Sequence, residues 1–105
     1  MINLDDLFQQ MQQRFNAQAA QNIEAVFQYN LSEQQIFSCK ISDGECSFSE
    51  GAHSAPDIEL SMASDLLLEI ISGESDAMQA FMEGSIEAEG DMTLAPALVS
   101  LFPAA

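Results

Sequence analysis

The chain has 105 residues, enough for one hydrophobic core, and its two Lys and Arg stand against 17 Asp and Glu for a formal net charge of -15. That balance repels a phosphate backbone or an anionic bilayer, so it excludes nucleic-acid binding and strong binding to an anionic membrane. Hydrophobic residues make up 48% of the chain, too many for a disordered acidic segment. No apolar run approaches the roughly 18 residues of a membrane span, and MINLDDLFQQ lacks the basic flank and apolar core of a signal peptide. The expectation is one folded, soluble, cytoplasmic domain over residues 1–105.

In chain order, Leu4, Leu7, Phe8, Met11 and Phe15 recur at helical spacing within residues 4–20, with Asn3 as N-cap and Asp5 and Asp6 in the first turn. This apolar stripe suits either a sheet or a partner. Over residues 23–31, Ile23, Ala25, Phe27, Tyr29 and Leu31 share one face while Glu24, Gln28 and Asn30 share the other, the alternation of a half-buried strand. IFSCKIS and ECSFSEG then flank Asp43-Gly44, the strongest hairpin signal in the chain. Pairing Ser42 with Glu45, Ile41 with Cys46 and Cys39 with Phe48 sets the two cysteines diagonally. Diagonal neighbours lie roughly 7 to 8 Å apart, longer than a disulfide comfortably spans, so two free thiols are expected.

The run DIELSM puts Ile58, Leu60 and Met62 on one face of a fourth strand. His53, in the loop before it, has no His or Cys at ligand spacing, so no metal site is expected. SDLLLEIISG reads as a helix with Ser64 as N-cap, Leu67, Ile70 and Ile71 inward, and Gly73 past its end. A second short helix from about Ser75 carries Met78, Phe81 and Met82 and stops at Gly84. SIEAE follows as a fifth strand, with Ile86 and Ala88 inward and Glu87 and Glu89 outward. The last helix, beginning at Asp91 or Thr93, carries Leu94, Leu98, Leu101 and Phe102; with Thr93 as cap, Pro96 falls in the first turn, where its missing N–H costs little.

Carboxylate pairs abound, as 17 acids in 105 residues ensure, but no basic or metal-binding partner accompanies them, so no catalysis and no cofactor are expected. The alternating Asp/Asn calcium loop and the Gly-x-Ser-x-Gly elbow are both absent from the sequence. The second half is instead rich in long, adaptable apolar side chains: Met62, Met78, Met82 and Met92 beside Phe81 and Phe102. Methionine fills irregular space, which suits a pocket for a flexible apolar ligand or an ordinary core. Pattern alone does not separate the two.

Phe81, Met82, Gly84, Ile86, Gly90, Asp91, Leu94, Ala95, Leu98, Leu101 and Phe102 spell a helix closing on Phe-Met-x-Gly, a short strand, Gly-Asp, and a helix ending Leu-x-x-Leu-Phe. Through them the segment from Asp65 to Phe102 resembles the sterol carrier protein 2 (SCP2) family. The resemblance implies an α+β fold, a mixed five-stranded sheet covered by helices around an apolar tunnel. It also implies non-catalytic binding and transfer of a lipid or other apolar small molecule, sterol-like, fatty acyl or isoprenoid, without a cofactor. Candidate lining residues are Phe27, Ile58, Leu60, Met78, Phe81, Met82, Leu98, Leu101 and Phe102. Where the family commonly carries Lys and further basic residues, this chain has Ser85, Glu87 and Glu89, which favours a neutral ligand or delivery by a protein partner over docking on anionic lipid. The alternative is an accessory protein with a filled tunnel, acting within a lipid- or quinone-modifying assembly. No pattern sets the oligomeric state.

Overall fold

Asp43 and Gly44, with φ of 55° and 75°, take the two left-handed positions of a tight hairpin turn. They fix the expected register, pairing Ser42 with Glu45, Ile41 with Cys46 and Cys39 with Phe48. The computed structural model describes residues 3–102, with Leu98 and Val99 described only as backbone. Its sheet comprises β1 (Ala25–Asn30), β2 (Ile36–Ser42), β3 (Glu45–Glu50), β4 (Ile58–Ser61) and β5 (Glu87–Gly90), in spatial order β3-β2-β1-β4-β5. β1 and β4 run parallel, and the other neighbours are antiparallel.

The first helix, α1 (Leu4–Arg14), is capped as expected: the Asp6 N–H donates to the Asn3 side chain at 3.2 Å. It ends earlier than the apolar spacing suggests. Phe15 is extended, and the Asn16 side chain accepts from the N–H groups of Gln18 and Ala19, turning the chain away, while the Asn16 N–H donates to the Leu101 carbonyl at 2.8 Å. A local side-chain acceptor here outcompetes continuation of the helix.

β1 is buried on both faces, not half-buried. It lies at the centre of the sheet, and the loop between β3 and β4 folds over its second face. Gln28 is satisfied there on every side: it accepts from the His53 N–H at 2.9 Å and donates to Asn30 at 3.0 Å and Glu59 at 3.1 Å.

Two helix starts also differ from expectation. In α2 (Ser64–Ser72) the cap position is Ala63, and the Ser64 N–H donates to the Ser32 hydroxyl at 3.1 Å. A serine remote in sequence thus does what Ser64 was expected to do. α3 (Ala77–Glu83) is capped by the Asp76 side chain, which accepts from Met78 and Gln79. Pro96 splits the last helix: a short 3₁₀ turn, Met92–Leu94, is capped by Asp91, and α4 (Ala97–Leu101) begins only after the proline.

One face of the sheet and the helices enclose the core, in which Phe27, Phe37, Cys39, Ile41 and Ile58 meet Leu7 of α1, Leu67 and Ile71 of α2 and Leu101 of α4. Rings extend it: Tyr29 stacks on Phe37 with centroids 4.6 Å apart, and Phe8 stacks on Phe48 at 4.9 Å. Both cysteines are free. Their thiols are close enough for a hydrogen bond, which pushes Cys39 up, with burial adding to the effect, and pulls Cys46 down. No described helix is long and apolar enough to cross a membrane.

Candidate functional site: an apolar cavity under the C-terminal helices

The parallel pairing of β1 and β4 sets Phe27 beside Ile58 and, two residues on, Tyr29 beside Leu60. Both pairs face the helices because side chains alternate along a strand. The first pair is sealed in the core. Over the second pair the helices stand off and leave a cavity of about 170 Å³. Its floor is Met11, Tyr29 and Leu60, which are only 2%, 3% and 1% exposed. Leu67, Ile70 and Ile71 of α2 form one wall at the i, i+3, i+4 spacing of a helix face, and Ala77 and Phe81 of α3 form another. Met62, Ile86, Ala95 and Phe102 complete the sides. Met78 and Met92, 43% and 49% exposed, stand with Pro96 at the mouth.

Among the described lining residues there is no carboxylate, ammonium, guanidinium or imidazole, and Tyr29 brings the one hydroxyl. Burial pushes the Tyr29 phenol well above its ordinary value of 10.0, and the neighbouring Cys39 and Cys46 add to the shift, so the group is held neutral. No group of three or more His, Cys, Asp and Glu able to hold a metal occurs among the described residues. Such an enclosure removes apolar surface from water, at roughly 25 cal/mol per Å² before ordering costs, and has no described group for acid–base or nucleophilic chemistry beyond the phenol.

Of the candidate lining residues, the structure brings Leu60, Met78, Phe81 and Phe102 together around this space. Phe27, Ile58 and Leu101 are fully buried in the core, away from the cavity. Met82 is 82% exposed, because α3 presents Phe81 to the cavity and turns the next residue outward. The side chain of Leu98 lies outside the described residues. Tyr29 and the α2 stripe were already legible as inward-facing; their part in the cavity depends on the β1–β4 register. Met11, on the apolar stripe of α1, and Ala95 and Pro96 of the last segment were not among the candidate lining residues, since they reach the cavity only through tertiary packing.

The SCP-2 sterol transfer family matches residues 4–103. The chain belongs to that family. Among solved structures, this SCP-2 chain is similar to the inverting sec-alkylsulfatase Pisa1 from Pseudomonas sp., at 16% identity with a TM-score of 0.83, covering 96% of this chain but 16% of the sulfatase. It is likewise similar to palmitated SCP2L2 from Aedes aegypti, at 18% identity and a TM-score of 0.77, covering 94% of this chain and 93% of that one. The UbiJ-SCP2 ubiquinone synthesis protein shares 14% identity with a TM-score of 0.70 over 93% of this chain and 88% of its own. These likenesses establish the five-stranded α+β fold. No curated protein sequence matches the chain.

Proposed function

We propose that this SCP-2 chain binds an apolar small molecule without reacting with it, taking one end of the molecule into the cavity and passing it on through the methionine-rimmed mouth. The observation that carries this reading is the cavity itself, uncharged along its described lining and about 170 Å³ in volume. Cavities of about 150 Å³ take a benzene-sized molecule, so the enclosed space suits a ring or a short length of chain, with the rest of a longer sterol-like, acyl or isoprenoid molecule leaving through the mouth as a continuing tunnel. Leu60, Met78, Phe81 and Phe102 are the contacts proposed from the original candidates, and the other lining residues join them. In this reading residues 1–105 act as one lipid-holding domain in the cytoplasm, approaching neither nucleic acid nor anionic membrane because of the charge of -15.

The test is native mass spectrometry and organic extraction of the purified chain, followed by thermal unfolding with added medium-chain alkyl compounds. A bound apolar species, or a rise in Tm with ligand concentration, is the expected result. Absence of both would overturn the proposal.

A second reading is favoured by the small volume and by the likeness to a ubiquinone synthesis protein: an accessory protein with a filled tunnel inside a lipid- or quinone-modifying assembly. Co-purification with such an enzyme, without any ligand exchange, distinguishes it from a carrier.

A further inference from the structure

The floor of the cavity is not uniformly apolar. Tyr29 is anchored there from both sides of its strand, paired with Phe37 of β2 and Leu60 of β4. Phe37 covers one face of its ring at 4.6 Å and 8°, and the residue forms part of the cavity lining. Exposure of 3% places this phenol at the closed end, whereas the exposed Met78 and Met92 mark the open end. The one hydroxyl-bearing side chain of the described lining thus belongs to the buried side of an otherwise apolar cavity.

Resting on the apolar-binding reading above, we infer that Tyr29 sets the ligand's chemistry and orientation by donating a hydrogen bond to an uncharged oxygen at its buried end. The class selected is an apolar molecule ending in a ketone, ester or alcohol. A carboxylate is rejected from that end because no cation stands among the described lining residues, and an ionised group buried without one is costly. A fatty acid then enters tail first and leaves the phenol without an acceptor. One neutral hydrogen bond in such a site corresponds to about 3- to 10-fold in affinity.

Tyr29 is the only tyrosine, and the chain has no tryptophan, so its near-ultraviolet band reports this site alone. The experiment titrates the full chain with decane, 2-decanone and decanoate at about pH 8, delivered from cyclodextrin, reading affinity and the phenol band together. The ketone is expected to bind about 3- to 10-fold more tightly than decane, with decanoate gaining nothing over decane. Only the ketone should shift the phenol band as a hydrogen bond to it forms. In Tyr29→Phe, whose thermal transition is recorded alongside, the ketone-to-decane ratio should fall to about one. A wild-type ratio near one, a ratio retained in Tyr29→Phe, or an identical phenol band with ketone and decane overturns the inference and leaves apolar binding standing. Failure of all three probes to bind overturns both.

Discussion

Gly90 lies directly against the backbone of Asp57: a β-carbon built on it would stand 2.5 Å from the Asp57 carbonyl oxygen and 3.0 Å from the Ile58 Cα. That carbonyl is held in place, since it accepts from the Asp91 N–H at 2.8 Å, and Gly90 itself has φ of 111°. Gly90→Ala therefore meets both a steric and a conformational penalty, and is expected to lose about 2 to 4 kcal/mol of stability. Gly51→Ala, with φ of 93° but nothing within 4 Å, should lose only about 1 kcal/mol. Urea unfolding of the two variants side by side checks the difference; equal losses would show that the close approach is unimportant.

Filling the cavity should block it. Ala95→Leu adds three carbons to the lining, and binding of a medium-chain ketone should weaken more than about tenfold while stability changes by no more than about 1 to 3 kcal/mol. Met82→Gln alters a side chain that is 82% exposed and outside the cavity, and affinity should move less than about twofold. Calorimetric titration of both variants is the measurement. A large loss in Met82→Gln would extend the site beyond the cavity.

Alkali should destabilise the fold through its buried phenol. The folded-state value of Tyr29 is raised above 10.0 by burial, so its contribution is fully present below about pH 10 and is lost as pH rises through the folded value. Cys39, raised from 9.0 chiefly by its hydrogen bond with Cys46, acts in the same direction from about pH 9, whereas the lowered Cys46 contributes stability that is already fully present above about pH 9 and does not offset the fall. The urea midpoint should fall above about pH 10, and phenolate absorption should appear only together with unfolding. Tyr29→Phe should remove the part of the fall that begins near pH 10. A phenolate signal in the native protein at about pH 10 would contradict the burial of this hydroxyl.

Salt should stabilise. With 17 acids against two bases, self-repulsion opposes the compact state, and about 0.3 M of a weakly interacting salt shortens the screening length to well under 10 Å. A rise of a few degrees in Tm is expected by calorimetry. A flat response would mean that the carboxylates are already well separated.

The hairpin was legible in full because Asp43-Gly44 specifies both turn and register, and the alternation of Ile58 and Leu60 gave the parallel strand its face. Element ends were less legible. Asn16 stops α1 through a local side-chain acceptor that competes with the apolar spacing, Pro96 splits the last helix, and Ser32 caps α2 through a contact that emerges only in three dimensions. The same holds for the cavity. Leu60, Met78, Phe81 and Phe102 stood out as inward apolar residues, but so did Phe27, Ile58 and Leu101, and what separates the groups is where helices part from the sheet. No hydrophobic pattern encodes that parting. The burial of Gln28 was hidden for another reason: a polar side chain at an outward position reads as solvated until a loop is seen to cover it.

The strand order leaves β3 and β5 at the two margins of the sheet, and the chain has put Glu45 and Glu50 at the ends of one and Glu87 and Glu89 along the other. A margin strand carries backbone groups ready to pair with a strand from another molecule, and charge is one of the ways proteins prevent it. Any second copy adding itself to either margin would bring carboxylate against carboxylate. Glutamates that look like a surplus of acid in the sequence thus stand where they oppose accretion at the open margins of the sheet.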